Sequence, residues 1–175
     1  MQRRKFVVGM GSLAAGGAAA MGTGAFNFAN IERGMNIDVV DDSSAFLALN
    51  DTSPYADGSG NQLSLTFDSN ADVTGEGINE NSDYSFTGVF SIRNQGNQPV
   101  GVWITDNDSN DAVEWYGTST NNTSDWSTLM EGPGNPYSLG IGERVFVNVV
   151  IFLQDNSYSD LPDTINVVAD ESQGN

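Results

Sequence analysis

Two residue types that build many catalytic and metal sites are missing from this chain, which has no cysteine and no histidine. Without cysteine there is no disulfide and no thiolate nucleophile, and without histidine there is no imidazole base or ligand. The ordinary zinc sites, the Ser-His-Asp triad and the Cys-His dyad are therefore excluded. No catalytic residue is predicted, and the chain is not expected to be an enzyme.

Positive charge is also scarce. The chain has 175 residues, and all 23 acidic residues follow residue 30, where the only cations are Arg33, Arg93 and Arg144, giving this part a net charge of −20. Such a charge repels itself over about 10 Å in 0.1 M salt and only about 3 Å in 1 M salt. The composition is typical of extreme halophiles, with an ordinary acidic secreted protein as the alternative. Nucleic acid and anionic membrane surfaces are repelled, so neither is expected as a partner.

Residues 1–24 read as an export signal, with a basic start and a Gly/Ala-rich apolar stretch that has no charge from Phe6 to Phe26. Arg3, Arg4 and Phe6 resemble the twin-arginine signature. This predicts an exported protein, extracellular or at the cell surface, that meets the membrane only transiently through this segment. The alternative is an uncleaved N-terminal anchor.

Residues 25–33 form a separate short segment, AFNFANIER, in which Phe26 and Phe28 alternate with polar residues and Ile31 follows out of phase. One interpretation is a first strand or a linker. The other is an extended arm whose apolar side chains pair with another subunit. Residues 34–170 are predicted to be the folded domain, and residues 171–175 a C-terminal tail.

The clearest evidence for the type of fold is the segment Tyr84–Thr105. Apolar or small residues occupy every second position in it up to Ile92 and again from Val100. This period of two is typical of half-buried strands. Gly96 and Pro99 lie between the two runs, which predicts a β-hairpin. Further strands are predicted from the same signal at 35–39, 45–49, 63–67, 112–116, 126–129, 144–153 and 163–169.

The run from Arg144 to Leu153 is apolar on nearly both faces and is expected to be a central strand. Seven to nine short strands separated by turn residues, with no helical periodicity beyond the leader, predict an all-β fold. The expected architecture is a two-sheet antiparallel sandwich of jelly-roll or immunoglobulin-like kind.

A calcium loop is one interpretation of the acidic segment that starts at Asp106, because oxygen ligands recur at alternate positions. Asp111 stands where such a loop has glycine, and Gly117 stands where it closes with glutamate. A solvated acidic loop is the alternative. The candidate ligands are Asp106, Asp108, Asn110, Asp111 and Glu114. No other cofactor is expected.

Four asparagines begin Asn-x-Ser/Thr sequons in predicted loops, which is the context that N-glycosylation of an exported protein requires. They are Asn50, Asn107, Asn121 and Asn122. The aromatic residues Trp103, Trp115, Tyr116, Trp126 and Tyr137 are read either as core or as a carbohydrate platform, with Trp103 predicted to lie opposite the buried face of its strand.

Several of these segments together resemble a family of short secreted haloarchaeal proteins of uncharacterised function. The resemblance lies in RRKFVVGMGSLAAGGAAAMGTGAF, in MNIDVV leading into DDSSAFLAL, and in the closing strand pair. More distantly, the Ala25-Phe26-Asn27 start and the strand into an Asn-x-Gly turn at 90–96 are similar to camelysin/TasA-like fibre subunits of biofilms and bundling pili. That second resemblance implies a jelly-roll subunit that polymerises by donating its N-terminal segment as a strand.

The function expected from the sequence is therefore structural: a cell-surface protein that associates with itself or with other surface proteins, with Phe26, Phe28 and Ile31 as the donated arm. The alternative is a monomeric extracellular module that binds glycan or calcium.

Overall fold

A computed structural model describes residues 44–68, 71, 73–75 and 77–174. The export signal, the arm and the strand predicted at 35–39 lie outside these residues. Nine strands are present in the described part, and short 3-10 turns occur at Tyr158–Asp160 and Glu171–Gln173. The strands are β1 Leu47–Asp51, β2 Ala56–Asp57, β3 Ser64–Leu65, β4 Tyr84–Asn94, β5 Val100–Asp106, β6 Val113–Thr118, β7 Tyr137–Leu139, β8 Arg144–Ile151 and β9 Ile165–Asp170.

The strands form two main sheets and one small pair. Sheet I has the order β1-β4-β8-β6, sheet II has the order β7-β5-β9, and β2 pairs with β3. All of these strand pairs are antiparallel. The predicted all-β, sandwich-like fold is confirmed.

The core lies between the two sheets, because each strand turns alternate apolar side chains inward. Phe90, Val147 and Trp115 come from sheet I, and Val102 and Ile104 come from sheet II; all belong to one buried cluster. Strand β8 lies between β4 and β6. The prediction of a central strand at 144–153 is therefore confirmed.

The predicted β-hairpin is wrong, although both of its strands exist. Strand β4 belongs to sheet I and β5 to sheet II, so the link between them is an arch from one sheet to the other. The buried side chain of Asn94 stabilises this arch, because its Nδ2 donates to the backbone oxygens of Gln98 (2.7 Å) and Leu139 (3.1 Å). Stacked sheets are about 10 Å apart, a gap that the five residues 95–99 can cross.

Three further elements differ from the sequence prediction. Residues 126–129 form no strand, and only an isolated bridge joins Leu129 to Tyr116. Strands β2 and β7 were not predicted, since they have two and three residues and show no alternation.

Among the described residues, no helix has the length and apolar composition that a membrane crossing requires.

The register of β4 and β8 defines two ends of the sandwich. Arg93 pairs with Arg144 at one end, and Tyr84 pairs with Ile151 at the other. Ile151 also pairs with Val113, which opens β6. The end at Arg144 and the end at Val113 are therefore separated by the length of β8, roughly 25 Å.

Candidate functional site

Three carboxylates converge at the Val113 end, where β5 ends. Asp106 is the last residue of β5, Asp108 follows it, and Glu131 is brought alongside by a parallel bridge to Ile104. One carboxylate oxygen from each lies within 4.8 Å of the others. We refer to Asp106, Asp108 and Glu131 as the acidic cluster.

Hydrogen bonds hold the two aspartates in place. The indole Nε1 of Trp115 donates to Asp106 Oδ2 (2.6 Å), and the backbone N–H of Val113 donates to Asp108 Oδ2 (2.9 Å). Glu131 is positioned through its neighbours, because Ile104 N donates to Met130 O (2.7 Å) and Gly132 N donates to Ile104 O (2.9 Å).

The electrostatics of the acidic cluster favour retention of a proton. Burial, followed by the negative charges of Asp106, Asp108, Asp111 and Glu114, raises the pKa of Glu131 to about 7. Burial also raises the pKa of Asp106. The hydrogen bond from Trp115 opposes this shift, and the negative charge of Asp108 adds to it. The cluster can therefore share a proton near neutral pH or bind a cation.

The calcium candidates are only partly brought together. Asp106 and Asp108 lie in the acidic cluster, while Asp111 and Glu114 act on Glu131 through their charge. Glu114 Oε2 accepts from the Tyr116 hydroxyl (2.6 Å), and Asn110 hydrogen-bonds to Asp160. Sequence analysis missed Glu131, because no spacing in the sequence links it to Asp106. Calcium binding stays a prediction.

A second feature is a cleft of about 780 Å³ with both apolar and polar side chains in its lining, the polar ones being Gln62, Ser64, Thr66, Asp68, Asp163 and Thr164. Its most buried residues come from sheet I, and its sides come from residues 62–68, from Gly77 and Ile78, and from the segment 158–165. We call this the cleft. Its apolar lining is Leu63, Leu65, Phe67, Ile78, Val113, Trp115, Val149, Ile151, Leu161 and Ile165.

Two edge strands lie at the cleft. In the described part of the chain, strand β3 has only β2 as a partner and β9 is the last strand of sheet II. Leu65 of β3 and Ile165 of β9 both line the cleft. An extended segment that enters the cleft therefore lies beside two strands able to accept backbone hydrogen bonds.

The segment 106–111 connects the acidic cluster to the sheet I residues of the cleft and to one of its sides. Val113 and Trp115, which donate to the cluster, also line the cleft. At the side formed by residues 158–165, Asn107 Oδ1 accepts from the backbone N–H groups of Asp163 and Thr164, each at 3.1 Å. The cleft and the acidic cluster are thus adjacent and share structural support.

The sequon asparagines lie in different settings. Asn50 is within β1, paired with Ser91, rather than in the predicted loop. Asn107 uses its side-chain oxygen to join two segments, and Asn121 Oδ1 accepts from Asn122 N (2.9 Å). Asn122 itself is exposed, with a φ of 53°. Glycosylation stays a prediction at all four positions.

The aromatic residues do not form an exposed platform. Trp103, which was predicted to be exposed, is 8% exposed, and Trp115 is 2% exposed. The prediction for Trp103 is wrong because that face of β5 is also covered. Tyr116 and Trp126 pack edge to face with their ring centroids 5.7 Å apart.

Comparison with known proteins yields one match. A family model described as "Protein of unknown function (DUF1102)" matches residues 39–168. No curated protein and no solved structure matches the chain.

Proposed function

Because the chain belongs to the DUF1102 family, whose function is unknown, its role has to be argued from its own residues, and we propose that it is an exported, non-enzymatic surface protein that assembles by strand donation. The arm at residues 25–33 of one copy enters the cleft of the next copy. The single observation that carries this proposal is the cleft, with its ten apolar side chains, between two edge strands.

The chemistry of the cleft suits an extended segment with alternating apolar side chains. Ten of its lining residues are apolar, and they come from both sides and from the core. Strand addition supplies backbone hydrogen bonds along an edge, while alternate side chains fill an adjacent groove. A volume of about 780 Å³ is within the range that accommodates a drug-sized ligand.

The arm has the matching pattern. Phe26 and Phe28 are two residues apart, so in a strand they point to the same side, and Ile31 supplies a third apolar side chain. The camelysin/TasA-like resemblance supports the same mechanism. The leader at 1–24 and the charge of −20 support export and a surface in concentrated salt, as expected of a haloarchaeal protein.

The test compares two forms of the protein in about 3 M salt, where the repulsion between copies is screened. One form begins at residue 25 and the other at residue 34. Electron microscopy and sedimentation should show filaments or large polymers for the first and no filaments for the second. Filaments from the shorter form would overturn the proposal.

A substitution in the cleft provides the second arm of the test. Leu161→Asp places a charge in the cleft and should prevent assembly while circular dichroism shows a folded monomer. Val73→Asp is the matched control, because Val73 is 38% exposed and does not line the cleft. Assembly of the Leu161→Asp protein at the level of this control would contradict the proposed site.

The alternative function is a monomeric surface module that binds calcium. The observation that favours it is the acidic cluster, in which all the charges acting on Glu131 are negative and oxygen ligands of the kind calcium prefers converge. Isothermal titration with calcium distinguishes the two: a saturable heat with a clean monomer favours the module. Loss of that heat in Glu131→Gln would locate the ion.

A further inference from the structure

Two arginines lie directly opposite each other at one end of the sandwich. Arg93 of β4 pairs with Arg144 of β8, and both side chains are exposed. They are the only cationic side chains in the described part of a strongly acidic chain. Like charges directly opposite each other across two strands are destabilising.

Neither guanidinium forms an ion pair within the described residues. Arg93 Nε donates to the backbone oxygen of Gly142 (3.3 Å), and the Arg144 guanidinium lies 5.9 Å from the ring centroid of Phe146. A guanidinium has five N–H donors, so most of them remain available. The two arginines can therefore receive carboxylates from outside the molecule.

Among the described residues, two acids at the same end accept hydrogen bonds from the backbone. Glu143 Oε2 accepts from the backbone N–H of Gly140 (2.9 Å), and Asp170 Oδ1 accepts from that of Ser172 (2.8 Å). Asp170 is the last residue of β9 on sheet II and Glu171 follows it, whereas the arginines are on sheet I.

Exposed apolar side chains lie next to the arginines. Phe46 is 85% exposed and Ile141 is 60% exposed. The backbone oxygen of Phe46 accepts from Gln95 N (2.7 Å), and Gly142 N donates to Asn94 O (2.8 Å), which places both segments at the Arg93 end. We call Phe46, Arg93, Ile141 and Arg144 the arginine end. Arginine and aromatic residues are the types enriched in protein interfaces.

The opposite end of the sandwich is strongly negative. It holds the acidic cluster, with Asp111 and Glu114 nearby. Charge is therefore separated along the direction of β8, with available guanidinium donors at one end of the sandwich and converging carboxylates at the other.

We infer that the arginine end of one copy docks against the acidic cluster of the next copy, so that subunits join head to tail. The partner is assigned as a second copy because its acidic cluster supplies the carboxylates that the guanidiniums lack and its arginine end is left to continue the chain. A contact between two different surfaces grows into an open polymer unless the rotation closes a ring. The inference rests on the self-association proposed above but uses none of the residues of the arm.

The test measures self-association of the form that begins at residue 25, by sedimentation in about 1 M salt, where charges act only over about 3 Å and long-range attraction is removed. One variant carries Arg93→Gln and Arg144→Gln, and another carries Asp108→Asn and Glu131→Gln. Each is expected to weaken association at least tenfold. A control with Asn122→Asp and Ser124→Asp makes the same change in net charge as the arginine variant, at exposed positions in the loop that Asn148 holds against the middle of β8, and should associate like the wild type.

Mixing the two variants tests the head-to-tail arrangement. Each pair of unlike copies retains one intact contact, so the mixture should sediment faster than either variant alone. Association of the arginine variant at wild-type strength would overturn the inference, as would wild-type association of the acidic variant or a mixture no larger than its components.

The outcomes separate this inference from the proposed strand donation. Loss of assembly on removing residues 25–33, with no effect of the arginine variant, overturns only the head-to-tail contact. The reverse pattern overturns only strand donation. A wild-type protein that stays monomeric at every concentration overturns both.

Discussion

Glu131 shows how a single carboxylate can set the pH response of this protein. Its pKa is raised to about 7 in the folded state from an ordinary value of 4.5, by burial and by four acidic neighbours. The folded state therefore binds more protons than the unfolded state between these two values. The stability that this proton supplies is present below about pH 4.5 and is lost as the pH rises through about 7.

We predict that Glu131→Gln abolishes this loss, because glutamine keeps the shape and carries no charge. Glu131 is partly exposed, so solvent screening reduces the effect to about 1 kcal/mol in the free energy of unfolding. Urea unfolding at pH 5 and pH 8 measures it, with Glu80→Gln as the control at an exposed acid outside the cluster. A pH response equal to that of the wild type would contradict the role given to Glu131.

The acidic cluster also shows what sequence can and cannot predict about a site. Asp106 and Asp108 could be selected because they alternate within one segment. Glu131 could not, because its place beside them depends on a bridge between Ile104 and a residue far along the chain. Residue type and local spacing predict ligands within a segment, but a ligand supplied by a distant segment appears only with the fold.

At the scale of elements, Asn148 joins three segments from the middle of β8. It is fully buried, its Oδ1 accepts from Gly88 N (2.7 Å), and its Nδ2 donates to the backbone oxygens of Thr123 (2.9 Å) and Asp125 (3.0 Å). Gly88 has a φ of 57° and lies where the register of β4 shifts. Asn148 therefore fixes both an irregular strand and the loop that covers it.

We predict that Asn148→Ala lowers the free energy of unfolding by about 2–3 kcal/mol, because it leaves buried backbone groups without partners. Asn156→Ala is the control, since Asn156 donates a single bond to Phe152 O (3.0 Å) and its loss should cost less than about 1 kcal/mol. Chemical unfolding of the two variants provides the comparison. Equal losses would show that the network at Asn148 adds nothing beyond one bond.

The elements that sequence predicted well are those with long alternation. Tyr84–Asn94 and Arg144–Ile151 are strands where the pattern placed them. Pairing was harder, because β4 and β5 follow each other in sequence but belong to different sheets. The same alternating pattern is compatible with a hairpin and with an arch. Only the burial of the inner faces of both sheets distinguishes the two. Strands as short as β2 and β7 have too few residues to show a period.

For the whole molecule, charge is the dominant variable. A net charge of −20 beyond residue 30 repels itself in dilute buffer, and salt screens that repulsion. We predict that the melting temperature rises by roughly 10 °C between about 0.1 M and 3 M sodium chloride, equivalent to a few kcal/mol for a domain of this size. Calorimetry across this range tests it, with sucrose as an uncharged control. A melting temperature insensitive to sodium chloride would contradict the prediction.

Because the arch sends β4 and β5 to different sheets, these consecutive strands do not pair with each other, and this has a kinetic consequence. Apart from β2 with β3, each strand pair joins segments far apart in sequence, as in the bond between Gly88 and Asn148, 60 residues apart. Long loops must therefore close before either main sheet is complete, and folds of such high contact order form in milliseconds to seconds. An export route that accepts only folded cargo would have to wait for that closure before moving this chain.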